Sequence, residues 1–163
     1  MRIRFLIGWA VTALAAWCAA AWRFGFGWSP EFLLVALIVF AFFLDLPEFL
    51  PVLIWGLWLF AWPIGFGPER AVVAAILLAT FFGCRTLPWR PWFSVALTVV
   101  LGVIALALAI YPAFILRQSF LFAQDLFVSL LAGMILFWFL RYTLGYRTRA
   151  GGPMVQRLPI FSP

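Results

Sequence analysis

Apolar residues fall in long uninterrupted blocks, and polar residues collect in the short stretches between them. The blocks run from Phe5 to Trp22, Phe32 to about Pro63, Ala71 to Cys84, Phe93 to Leu116 and Ser119 to Leu140. Blocks this long without alternation predict helices that are apolar on every side, and about 20 such residues cross a bilayer. The pattern therefore predicts an all-α, polytopic integral membrane protein with about six transmembrane helices. One transmembrane domain covers 1–146, and the tail 147–163 is expected to be disordered and cytoplasmic.

The first block follows Arg2 and Arg4, and its small residues (ALAAWCAAAW) also admit a cleaved signal peptide. We read it as an uncleaved first helix, because further membrane segments follow. RFGFGWSP (23–30) is a turn, with Pro30 suited to the first turn of the next helix and Glu31 beside the positive end of its dipole. The block 32–63 is too short for two full spans, which need about 40 residues. Pro47, Pro51 and Pro63 interrupt it, leaving two short hinged helices, a re-entrant hairpin or one long broken helix.

Charge separates these options. Six crossings place Arg2, Arg4, Arg85, Arg90, Arg141, Arg147, Arg149 and Arg157 on one side, and Arg23, Arg70 and Arg117 on the other. That asymmetry assigns the first side, with both termini, to the cytoplasm. A re-entrant hairpin keeps the same split, whereas a single broken span reverses everything after it. The expected location is a membrane crossed several times, with both termini on the cytoplasmic side.

Composition narrows the chemistry. The chain is 67% hydrophobic and 10% charged, its mean hydropathy is +1.15, and it contains no His, Lys or Asn. Without His it lacks the commonest general base and metal ligand, and without Lys it has no Schiff-base amine. Cys18 and Cys84 lie in separate apolar runs and read as buried thiols. The net charge of +6 comes from Arg spaced between apolar blocks, a topological pattern that does not suit nucleic acid. No enzyme, metal or cofactor is expected.

Candidate residues are therefore few. Asp45 and Glu48 flank Pro47 in FLDLPEF (43–49). They are either hydrated at a cytoplasmic turn or buried as a proton or cation site. Asp125, about five residues into the last helix, is either an interfacial acid or a buried relay. Ser129 with Gly133, and more weakly Ala16 with Ala20, are small-residue pairs that let helices approach closely. Trp22, Trp28, Trp62, Trp89 and Trp92 lie at block ends, as aromatic belts do, while Trp55 and Trp58 suit packing or lipid contact.

The segment SPEFLLVALIVFAF (29–42), the hinge FLDLPEF with Gly56, and the turn IGFGPERAVVAAILL (64–78) with Gly67 resemble the MreD family of bacterial rod shape-determining proteins. The helices 93–116 and 119–140, ending at Arg141, fit the end of that pattern. Where the family often carries an Asp, this chain reads WGLWLFAWPIGFG, so no acidic site is carried onto that stretch. The resemblance implies a fold like the substrate-binding subunits of energy-coupling-factor transporters. It also implies a non-enzymatic scaffold that binds an MreC-like protein and other elongation-complex subunits, with a homo-oligomer possible. Two readings compete with it: the substrate-binding subunit of a small-molecule transporter, and an ion or proton channel component resting on Asp45, Glu48 and Asp125.

Overall fold

The computed structural model describes residues 2–26, 30–60, 68–86, 91–110 and 112–144, and these are helical apart from short connections. In chain order the helices are α1 (Arg2–Phe26), α2 (Phe32–Phe43), α3 (Leu46–Phe60), α4 (Pro68–Thr86), α5 (Pro91–Ile110), α6 (Pro112–Arg117) and α7 (Ser119–Leu144). Gly67, Trp28, Trp62, Trp89 and the tail 147–163 lie outside the described residues.

Three helices are long and apolar enough to cross a membrane, within Leu6–Gly25, Pro91–Ile110 and Ser119–Thr143. Three further apolar helices are shorter: Phe32–Phe43, Leu46–Leu59 and Arg70–Gly83. This is the helical architecture of a membrane protein. Its outer faces carry Leu14, Trp17, Ile54, Phe82, Leu101, Leu108, Phe127 and Ile135, all exposed and suited to lipid.

The expected long helix 93–116 corresponds to α5 and α6, and Tyr111 between them lies outside the described residues. Proline lacks an N–H and clashes with the carbonyl four residues earlier, so inside a helix it usually interrupts the hydrogen bonding. Pro47 and Pro51 are accommodated within α3. Pro47 lies in the first turn, where an N–H has no helical partner to lose. Pro51 deprives the Pro47 carbonyl of a donor but does not end the helix.

The short helix α2 forms the axis of the bundle and packs against α1, α3, α4, α5 and α7. Every residue from Leu33 to Ala41 is buried. Leu, Val, Ile and Phe occur all around this helix, as its enclosure on all sides requires. Trp22 meets Phe32 near one end of α2, and Gly8 meets Leu44 near the other, so α1 and α2 are antiparallel. Phe137 packs on Phe43 with ring centroids 5.6 Å apart, and Gly133 meets Val35, so α7 runs in the same direction as α2. With 12 residues α2 is about 18 Å long, and α1 and α7 continue past both of its ends by roughly 6–10 Å.

Hydrophobicity cannot hold helices together in lipid, so close packing must do so. Glycines on three neighbours allow α2 to be approached closely. A methyl at Gly56 of α3 would lie 2.6 Å from Leu37, one at Gly102 of α5 2.7 Å from Ile38, and one at Gly133 of α7 3.1 Å from Val35. Rings add to this packing. Phe49 stacks on Phe81 at 4.9 Å, and Trp55 stacks on both Trp9 at 4.5 Å and Trp58 at 5.2 Å. Trp55 is thus a packing residue, while Trp58 packs on it and is also half exposed, so the pair divides between packing and lipid contact. The hydroxyls of Thr12, Thr80 and Thr98 donate to the carbonyls of Gly8, Ile76 and Ser94 one turn back, so they bring few unmet polar groups into the bundle.

Gly83, by contrast, has open space where its methyl would be. Gly83→Ala is expected to stabilise the protein by about 0.5 kcal/mol through helix propensity alone. Unfolding followed by tryptophan fluorescence in mixed micelles checks this.

Candidate functional site

The polar groups of the bundle gather at the two ends of α2. At its N-terminus Pro30 is buried and Glu31 occupies the capping position, with φ −79° and ψ 51°. The Phe32 N–H donates to the Pro30 carbonyl at 2.8 Å, and the Val35 N–H donates to the Glu31 carbonyl at 2.9 Å. No side-chain cap comes from Glu31 itself. The Asp125 carboxylate, on α7, accepts a hydrogen bond from the Glu31 backbone N–H. It thereby acts from another helix as the third-position carboxylate of a capping box acts within one.

Asp125 is also held from its own helix. The Ser129 hydroxyl donates to Asp125 Oδ1 at 3.3 Å, and Ser129 is buried. Asp125, Ser129 and Gly133 are spaced four apart, so they share the face of α7 that meets α2. The sequence marked Pro30 with Glu31, Asp125, and Ser129 with Gly133, and the fold brings these three marks together. A negative carboxylate at the positive end of α2 is electrostatically favourable. Because α7 begins more than a turn before Asp125, this cap lies below the end of the bundle.

At the other end of α2, Leu44 turns out of the helix with φ −96° and ψ 148°. The Asp45 carbonyl then accepts N–H groups from Glu48 at 2.9 Å and Phe49 at 2.7 Å, which starts α3. FLDLPEF is therefore a tight helix–helix turn. Of the two placements open to this acid pair, hydrated or buried, Asp45 is partly exposed and Glu48 is buried. Glu48 is 7% exposed, because it shares the inward face of α3 with Phe49, Val52 and Gly56. It lies in the first turn of α3.

The acids do not converge. Asp125 and Asp45 are separated by the length of α2, about 18 Å. Among the described residues, no group of three or more His, Cys, Asp or Glu could hold a metal ion. Gly56 lies between the two ends, against Leu37. Sequence reasoning missed Gly8 and Gly102, although a glycine inside an apolar helical run was the available signal. It also missed that the partner of Asp125 is a backbone N–H, which leaves no trace in side-chain identity. No family model, curated protein or solved structure matches the chain.

Proposed function

We propose that this protein is a non-enzymatic integral-membrane scaffold of the bacterial cell-elongation machinery, of MreD type. It would join an MreC-like membrane protein to cytoplasmic MreB filaments and peptidoglycan synthases. The observation carrying this reading is the packed axis. Large side chains of α2, including Phe40, Leu37 and Ile38, fill the centre of the bundle where a transporter subunit would hold its ligand. An axis filled by apolar side chains, with carboxylates at the two ends of α2, suits assembly more than transport. The sequence resemblance over 29–142 supplies the specific system.

In this reading α1 to α5 and α7 cross the inner membrane six times. The opposed directions of α1 and α2 and the shared direction of α2 and α7 are consistent with that count. The short helices α2 and α3 cross because longer neighbours shield α2 from lipid, and the arginine asymmetry places both termini in the cytoplasm. The expected result is copurification with an MreC-like protein, and cells that widen and round when this chain is depleted. Unchanged width after depletion would oppose the proposal.

The same reading predicts that Asp45→Asn with Glu48→Gln leaves proton flux through proteoliposomes unchanged. Each carboxylate belongs to the turn that starts α3, and the amides keep the shape of both side chains. Loss of a measured flux, with folding and assembly intact, would favour the channel reading instead.

A further inference from the structure

Three contacts fix which charged helix ends lie together. Gly8 of α1 meets Leu44 and Val52, Phe81 of α4 stacks on Phe49, and Phe137 of α7 packs on Phe43. Each contact lies beside the turn FLDLPEF, so the start of α1 and the ends of α4 and α7 share that end of the bundle. Arg2 and Arg4 open α1, Arg85 is the penultimate residue of α4, and Arg141 stands in the last turn of α7. Four more Arg follow these helices in sequence, in the connection 87–90 and in the tail 147–163. Against these eight stand only Asp45 and Glu48, and Glu48 is buried.

The opposite end, marked by Trp22 on Phe32 and by the Asp125 cap of α2, is neutral. It holds Arg23, Arg70 and Arg117 with Glu31, Glu69 and Asp125. The whole net charge of +6 therefore belongs to the FLDLPEF end. Topology asks only for more Arg on one side and does not dictate their arrangement. Here the helices that carry them stand on different sides of α2, because α3 packs between α1 and α4, and α5 packs between α4 and α7. The charge thus lies around the perimeter, at the ends of helices whose outer faces meet lipid. One acidic soluble partner would touch one side of such a ring, whereas a shell of headgroups touches all of it.

Arg141 is the best defined position of the ring. It is exposed, and its guanidinium lies 5.1 Å from the ring centroid of Trp138, one turn back toward the hydrocarbon. Trp138 is 53% exposed and Tyr142 92% exposed, so the group faces outward. The indole holds the guanidinium at the membrane edge by cation–π attraction, and a guanidinium edge takes two oxygens of one phosphate. We propose that this end of the bundle binds anionic phospholipid headgroups, with Arg141 on Trp138 as one headgroup site and the arginines of α1 and α4 continuing the ring. Phosphatidylglycerol brings an uncompensated phosphate charge, whereas phosphatidylcholine and phosphatidylethanolamine neutralise their own. The proposal rests on the helix directions and requires no role in cell elongation.

The test reconstitutes the full chain in phosphatidylcholine vesicles with a trace of spin-labelled phosphatidylglycerol or spin-labelled phosphatidylcholine, and compares the immobilised fractions. At low salt phosphatidylglycerol should be favoured about three- to fivefold, and the preference should fall toward unity at about 1 M salt. Arg85→Gln with Arg141→Gln should remove about half of this preference or more. Arg23→Gln with Arg117→Gln, an equal loss of charge at the neutral end, should lower it far less. Arg141→Lys keeps the charge and should retain most of it. Tryptophan-monitored unfolding in mixed micelles should match the parent for the Arg141 variants, since this side chain lies outside the core. Equal association of the two lipids would overturn the proposal. So would a preference that survives high salt, equal losses from the two double variants, or an end that retains a soluble acidic protein and ignores the lipid.

Discussion

Replacing Gly56 with valine is expected to destabilise the bundle by about 3 kcal/mol or more, the largest loss among the single changes considered. The β-carbon alone would lie 2.6 Å and 2.8 Å from the two methyl carbons of Leu37 and 3.2 Å from its Cγ. Leu37 is fully buried on the enclosed helix α2, with neighbours on every side, so it has nowhere to move. Gly56→Ala gains helix propensity of up to about 1 kcal/mol against an overpacking cost of about 1–3 kcal/mol. Its net effect is a smaller destabilisation. A methyl at Gly102 would meet one terminal carbon of Ile38 at 2.7 Å and Ile76 at 3.5 Å, a single close contact, so Gly102→Ala should cost less than Gly56→Ala. A double-mutant cycle isolates the cause, because Leu37→Ala removes all three opposing atoms. Combined with it, Gly56→Val should cost far less than it does alone. Equal costs in both backgrounds would place the effect elsewhere in α3. Unfolding in mixed micelles, read by tryptophan fluorescence, measures all four proteins.

Removing the carboxylate of Asp125 should have the second largest effect. Asp125→Leu leaves the Glu31 N–H without its acceptor, in a position shielded from bulk water. It also removes a negative group from the positive end of α2. Losing a charge-assisted bond and stranding its partner costs about 2–3 kcal/mol together. Asp125→Asn keeps an acceptor oxygen and should cost about 1 kcal/mol. Ser129→Ala removes only one donor to the carboxylate and should cost less again. Hydrogen exchange gives the spatial reading. Amides in the first turn of α2, from Phe32 to Val35, should lose protection in Asp125→Leu, while those of α4 keep theirs. Equal loss throughout the bundle would show that Asp125 supports the fold as a whole, and the cap would not be its specific role.

The sign of the glycine results follows from surroundings that the sequence does not reveal. Gly56, Gly83 and Gly102 all sit in apolar helical runs and look alike when read along the chain. Gly83 faces open space, and Gly56 faces a side chain that cannot yield. The candidate residues behave similarly. Their residue types marked Asp125 and Ser129 as unusual in a membrane segment. They did not say that α7 would deliver Asp125 to the first turn of α2, some ninety positions earlier in the chain.

The sequence by itself determined the solvent and the class of fold. So many apolar residues, in blocks without alternation, require lipid, and in lipid the backbone must satisfy itself, so the blocks become helical. The turn at FLDLPEF was equally legible, because Pro47 and the flanking acids favour starting a new helix there. Only the tertiary structure decided which helix lies at the centre, which glycines are contacts, and which of two adjacent polar residues on α7 turns inward. All the helices are apolar, so hydrophobic pattern cannot rank them by burial when the surrounding medium is as apolar as the core. Shape decides instead: α2 is enclosed because glycines on α3, α5 and α7 let those helices close around it.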